Sequence, residues 1–541
     1  MDLTLNLLTW LGCALWGLSL LPALLRHRWQ GKVTCGLLAA GAVLMSLPWL
    51  WTPHTFQQMA LYRLTGLWTL VLLVAVLRQI PLHGLARRRI CTIIVIAGIL
   101  QTLLANWQLM WPDAASNLTG FSLSRTGGRP TGSFLQANLL GSFVATAFLC
   151  CLWLVFSSLS LKGRRYALLG VFILSAGMAM SLSRTALFAA LPAAVVLLCL
   201  VKGQHRVRLI AIGVLLAGLL AGQGILFLRP ALHPTTAGDV RPVNTEARLQ
   251  HDRQHSGAER LALLQGTSLI IASTPWSGSG LGTFERRFPD ALAEAGAVNP
   301  FTVTVSHPHN ELLYVWSEGG VVAAAGLMLW LGLWGSLFLR RRRRVVMRAL
   351  LTAPLVAHCM TEMPLYLSAI HLILLALLFR MALPVRCKKA LPVSPGAVRP
   401  VVVTGLAMIC LAGGAFMVTA LQSSSQLQSA ESFRLMDPLP LTAIRNPLAQ
   451  PDRLLFDRTV NLLMMYNLQP DPTLLDRFTV QATDWLTRHN DASLTATLMQ
   501  LAHHRGNTAR QQYWRRRGCQ SFQQDRRFDC PHLPLIYGDK R

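Results

Sequence analysis

The stretch Ser306-His307-Pro308-His309-Asn310-Glu311 packs two histidines, an amide and a carboxylate together. The ordinary pKa of histidine suits proton transfer near neutral pH, so His309 and His307 are candidate bases. A long apolar run follows and ends in the basic run Arg340 to Arg344. A membrane helix therefore opens near Ser306, with Glu318 about 10 Å further in. Ionisable groups at that depth are costly and are kept for a function or a partner. Pro308 suits a first helical turn and places His309 in that turn. Helical spacing then aligns His309 with Leu313, Trp316 and Gly320, and Glu311 with Glu318. The free N–H groups of the helix end favour an anion. Glu318 either orients this helix or pairs with a neighbouring one. Two histidines and a glutamate are also zinc ligand types. No further histidine or cysteine cluster stands nearby in the sequence, and the site is read as metal-free.

Arginines occur away from the basic loops. Arg184 lies in MSLSRTALF, at a helix junction with almost no loop around it. Arg260 leads an amphipathic stretch, and Arg125 and Arg129 precede PTGSFLQANLLGS. The rigid guanidinium fork matches phosphate oxygens. Each arginine alone is equally readable as snorkelling or carboxylate-paired. The segment SGSGLGTF (277–284) lacks the lysine of a nucleotide-binding loop. It reads as a turn with close backbone packing, of a kind that can approach a phosphate.

The elements that must position these groups are membrane helices. Of the 541 residues, 52% are hydrophobic and 13% charged. Apolar runs near the length of a bilayer crossing recur at 4–25, 33–51, 59–79, 90–110, 133–157, 166–182, 185–201, 208–228, 309–339, 346–365, 366–383 and 399–421. The first is too long for a signal-peptide core and has no cleavage site behind it, so it is read as retained. The net charge of +27 sits in short loops between the runs. That is the positive-inside pattern, and with no basic-aromatic module it argues against nucleic acid. Putting every basic loop inside leaves both termini outside. Segments 111–133, 181–185, 229–308 and 422–541 also fall outside.

The polar tail, 422–541, reads as successive short helical pairs of tetratricopeptide type. Of the eleven cysteines, eight lie in apolar runs, Cys387 in a basic loop, and Cys519 and Cys530 in the tail. The tail pair points to one disulfide in an oxidising compartment.

The motifs HPHNELLYVWSEGG (307–320), GRPTGSFLQANLLGS (128–142), SLSRTA (181–186) and RLALLQGTSLIIASTPWSGSGLGTF (260–284) together resemble the O-antigen ligase/polymerase superfamily. Within it the chain is most similar to the PglL/PilO-type protein O-oligosaccharyltransferases. Gln136-Ala137-Asn138 stands where these carry Gln-Pro-Asn, with the polar residues retained. The outside N-terminus departs from the inside N-terminus of the ligases.

The resemblance implies an all-α polytopic membrane protein of GT-C type with about twelve spanning helices. Residues 1–421 would form the catalytic membrane domain, including loop 229–308. Residues 422–541 would form a helical periplasmic domain. The implied enzyme is an inverting, metal-independent glycosyltransferase of the bacterial inner membrane, without cofactor, its site facing the periplasm. Its donor would be a glycan on undecaprenyl pyrophosphate. Its acceptor would be a Ser or Thr hydroxyl of an exported protein such as type IV pilin. O-antigen ligation to lipid A core and O-antigen polymerisation are the alternatives. His309, His307 and Glu318 would serve catalysis. Arg184, Arg260, Arg129, Gln136, Asn138, Asn310 and Glu311 would hold the donor.

Overall fold

A computed structural model describes residues 3–26, 31–123, 126–134, 136–158, 160–232, 245–383 and 398–530. Arg125 and Cys387 lie outside the described residues. Lipid offers no hydrogen bonds, so each apolar run closes its backbone within itself as a helix. In chain order these are α1 (Leu3–Arg26), α2 (Lys32–Ser46), α3 (His54–Gln79), α4 (Gly84–Met110), α5 (Pro112–Thr119), α6 (Ala137–Ser157), α7 (Leu161–Met180), α8 (Arg184–Leu200) and α9 (His205–Leu232). After them come α10 (Thr245–Ser273), α11 (Phe284–Glu294), α12 (Glu311–Gly335), α13 (Arg343–Ala349), α14 (Ala353–Cys359), α15 (Pro364–Leu367), α16 (Ala369–Ala382) and α17 (Val398–Ser432). The tail holds α18 (Leu439–Thr442), α19 (Pro451–Leu468), α20 (Pro472–Arg488), α21 (Ala492–His504) and α22 (Thr508–Ser521). No strand occurs among the described residues.

Eight of the described helices are long and apolar enough to cross a membrane: α1, α2, α3, α4, α6, α9, α12 and α17. Helices α8 and α16 are shorter apolar helices. The remaining apolar elements are α7, which carries the basic Lys162-Gly163-Arg164-Arg165, and the broken pair α13–α14. The chain is a multi-pass membrane protein. Helix α6 is its central post, buried along most of its length against α4, α7, α8 and α14.

Asn6 fixes the sidedness of α1. Its Nδ2 donates to Leu367 O and its Oδ1 accepts from Ala369 N, both at 2.9 Å. Helix α1 therefore begins beside the α15–α16 corner, on the face where α12 also begins. From there the chain alternates. One face, the histidine face, carries α5, α10, α11, the start of α12 and the tail; the other, the basic face, carries the basic loops.

Two expectations are corrected. The loop expected from 229 begins later, because α9 runs to Leu232. Helix α12 opens at Glu311 rather than at Pro308. Asn310 caps it, its Oδ1 accepting from Leu313 N at 3.0 Å. His309 stands before the cap with φ 55°, outside the first turn. The stripe from His309 to Gly320 does not form, since Gly320 (φ 65°, ψ −168°) also breaks the helix.

The tail carries the helical pairs α19–α20 and α21–α22, and Cys519 and Cys530 are joined by a disulfide. Helix α17 passes position 421 without a break and leads straight into this region. Asn490 fastens the tail to the histidine face. Its N–H donates to Glu285 Oε1 at 2.8 Å, and its carbonyl accepts from Thr304 Oγ1 at 2.6 Å.

Candidate active site

The GRPTGS loop is held by two glutamines of α4. Gln108 Oε1 accepts from Thr131 N (3.0 Å) and Gly132 N (2.8 Å), and Gln101 Oε1 accepts from Ser133 N (2.9 Å). This aims Arg129 at the turn between α7 and α8. Its guanidinium donates to Ser181 O at 3.1 and 3.3 Å and to Asn138 Oδ1 at 2.7 Å. The turn itself is tight: Leu182 has φ 52°, and Ser183 caps α8. Gly141 lets α6 press against it, since a Cβ there would lie 2.5 Å from Ser183 Cβ. Arg184 leaves this turn exposed.

Asn138 carries the connection onward. Its Nδ2 donates to Glu362 Oε1 at 2.6 Å, in the break between α14 and α15. Glu362 Oε2 lies 3.5 Å from His358 Nε2. His358 Nδ1 is 2.8 Å from Ser142 Oγ, which is 3.1 Å from His371 Nε2. His358 and His371 are fully buried. Sequence reasoning missed Glu362, His358 and His371. The available signal was an ionisable residue inside an apolar run.

The histidine loop closes over this cluster. Asn310 Nδ2 donates to Met360 O at 2.9 Å, tying the loop to the segment that carries Glu362. The rings of His307 and His309 are 4.5 Å apart, and His307 Nδ1 is 2.9 Å from Ser306 Oγ. Burial lowers the pKa of His309; the Glu362 charge opposes this and the Arg260 charge adds to it. Burial and then His309 push His307 down to about 4. Both rings are therefore neutral at neutral pH. Among the described residues no hydrogen bond engages either ring nitrogen of His309. Arg184 and Arg260, both exposed, have no hydrogen-bond or ion-pair partner there either.

The carboxylates of α12 are engaged internally. Glu311 is buried and accepts from Tyr366 OH at 2.8 Å. Glu318, fully buried, pairs with Arg63 of α3 and accepts from Phe284 N at 3.0 Å. The Arg63 guanidinium also lies 4.2 Å from the Tyr314 ring centre. The sequence left open whether Glu318 pairs with a neighbouring helix, and it does. SGSGLGTF packs into the kink of α12: Ser279 N donates to Ser317 O at 3.0 Å and Gly280 N to Glu318 O at 2.9 Å. Gly278 and Gly320 permit this, since a Cβ at Gly320 would lie 2.1 Å from Trp276 O.

The structure thus brings Arg129, Asn138, His307, His309 and Asn310 around Glu362, with Arg260 close enough to act on His309 and Arg184 close enough to act on Arg129. Gln136 is exposed at the start of α6, and Glu311 and Glu318 turn away toward α3 and α15. A cavity of about 500 Å³ lies between α1, α2, α3, α12 and α16. It is mainly apolar, and Arg63, Glu311 and Tyr366 are among its polar lining residues. No group of three or more His, Cys, Asp or Glu among the described residues is placed to hold a metal.

A family model described as O-antigen ligase matches residues 169–328, which include Arg184, Arg260 and the histidine loop. A second, described as virulence factor membrane-bound polymerase, C-terminal, matches residues 346–529, which include Glu362 and most of the tail. No curated protein gives a significant match. The two matches imply glycan transfer of the ligase or polymerase kind, from a lipid-linked donor, in a membrane. With four motifs converging on one face and two family models matching in succession, the matches support the O-antigen ligase/polymerase superfamily for this chain.

Proposed function

We propose that the protein transfers a glycan from undecaprenyl pyrophosphate to Ser or Thr hydroxyls of exported proteins such as type IV pilin. The reaction would take place on the periplasmic face of the bacterial inner membrane. The observation that carries this reading is a neutral His309 whose ring nitrogens are unengaged among the described residues, within electrostatic reach of the exposed Arg260, with the exposed Arg184 beside Arg129. A hydroxyl is a weak nucleophile and needs a base; a departing pyrophosphate gains charge and needs fixed cations.

In this reading the acceptor oxygen attacks the anomeric carbon as its bond to the pyrophosphate oxygen breaks. The configuration inverts, the hydroxyl proton passes to His309, and undecaprenyl pyrophosphate leaves. Arg184 and Arg260 meet the pyrophosphate, with Arg129, Gln136 and Asn138 completing its pocket. Asn310 and Glu311 hold the opening of α12. Glu318 positions that helix through Arg63, and His307 orients the loop. The apolar cavity beside α12 takes the isoprenoid chain. The tail, fastened to the loop before His307, presents the acceptor.

Polymerisation is the second reading, favoured by the description of the model that matches the tail. The test offers purified protein one lipid-linked glycan and three acceptors: a pilin-like protein, a lipid A core, and a second lipid-linked glycan. Transfer to the protein supports the proposal, and transfer to a glycan alone replaces it with ligation or polymerisation. Activity lost to chelator and restored by zinc would overturn the metal-free mechanism.

A further inference from the structure

The face opposite the candidate active site holds a second concentration of charge. Arg78 ends α3, Arg87 lies in the first turns of α4, Arg348 in α13 and Arg380 near the end of α16. The charges of Arg78, Arg87 and Arg348 act on Arg380, and those of Arg87 and Arg344 on Arg348. These are not arginines waving in solvent: Arg380 is 1% exposed and Arg348 8%. Arg380 donates through Nε to Leu77 O (2.7 Å) and through Nη2 to Ile80 O (2.6 Å). Its Nη1 is buried without a hydrogen-bond partner among the described residues.

Buried like charges need a counter-charge. Among its described residues the chain offers no carboxylate to Arg87, Arg348 or Arg380 on this side. Its 23 carboxylates leave residues 3–112, 114–238, 319–361 and 363–430 empty, and every basic-face connection falls in those stretches. The counter-anion must come from outside the chain. Apolar side chains stand around the cluster, among them Leu77, Val345, Phe379 and Leu383. That setting is the boundary between headgroups and acyl chains rather than open water. Basic pockets between helix ends on the positive side of a membrane protein suit phosphate headgroups.

We propose that Arg87, Arg348 and Arg380 form a binding site for the phosphodiester headgroup of an anionic lipid, on the face away from the transfer site. Its occupancy ties α4, α13 and α16 together where their charges would otherwise repel. The site does not depend on which acceptor the transfer reaction uses.

The test is native mass spectrometry of the full-length protein released from phosphatidylcholine nanodiscs doped with phosphatidylglycerol. Wild type should retain phosphatidylglycerol in preference to phosphatidylcholine. The double variant R87Q/R348Q, which spares the Arg380 caps, should bind it about 30-fold more weakly. R341Q/R342Q removes the same charge from exposed positions and should bind like wild type. Equal retention by the two double variants would overturn the proposal. So would wild type with no preference for phosphatidylglycerol, a result that needs no variant to fold. Displacement of the lipid by millimolar inorganic phosphate would assign the site to a soluble anion instead.

Discussion

Asn138 and Glu362, 224 residues apart, are joined by a 2.6 Å hydrogen bond from the amide to the carboxylate. The same amide accepts from Arg129, so one side chain links the GRPTGS loop, the central helix α6 and the segment under the histidine loop. Asn138→Ala should cut both links and leave polar groups unpaired, costing about 1–3 kcal/mol of stability. Glycan transfer should fall further than that loss of stability explains, because Glu362 and Arg129 both lose their aim. Unfolding midpoints and turnover measured on one preparation decide; unchanged turnover would remove Asn138 from the site.

Arg184 and Arg260 should matter through geometry as well as charge. Arg184→Lys and Arg260→Lys keep a cation but lose the bidentate fork, and each should lower turnover at least about tenfold. Steady-state transfer assays measure this. Wild-type rates for both lysine variants would show that neither arginine holds the pyrophosphate.

Arg63→Ala would leave Glu318 buried and unpaired at the kink of α12. The expected loss is about 3–5 kcal/mol, whereas Arg63→Met with Glu318→Met should recover most of it. Unfolding by a denaturing detergent gives both numbers. Arg63→Ala within about 1 kcal/mol of wild type would contradict the pairing.

Much of this architecture was legible in the sequence. The positions of the apolar runs, the basic connections and the tail disulfide follow from local composition and spacing, and the four motifs from a family resemblance. The start of α12 did not, because two local signals compete there. Pro308 suits a first turn, but Asn310 is a strong cap and prevails, leaving His309 in the left-handed region. Asn138–Glu362 and Arg63–Glu318 were illegible for another reason. Each pair joins helices far apart in the chain, and local spacing carries no record of which helices become neighbours. Glu362, His358 and Arg63 announced themselves only as ionisable residues within apolar runs.

His489 makes the contact between the tail and the loop sensitive to pH. Burial opposes its charge, but Asp452 and Glu285 outweigh burial and raise its pKa to about 9. A raised folded-state pKa adds stability that is complete below the unfolded value, about 6.5, and is lost as pH rises through about 9. Hydrogen exchange in α11 and α20 should therefore accelerate between about pH 7 and pH 9 beyond its intrinsic rise. His489→Gln should remove the extra step. An identical profile in the variant would show that His489 does not hold the contact.

The central claim is that His309 takes the acceptor proton. Its lowered pKa sets the sign of the pH dependence: transfer should be level near neutrality and fall as acid protonates the ring, with a midpoint below about 6.5. The most direct measurement is single-turnover transfer by purified His309→Ala, with a lipid-linked glycan and saturating acceptor, beside a donor-binding assay. The account predicts a loss of roughly 10²–10⁴-fold in rate with donor affinity retained. Transfer at the wild-type rate by His309→Ala would contradict it.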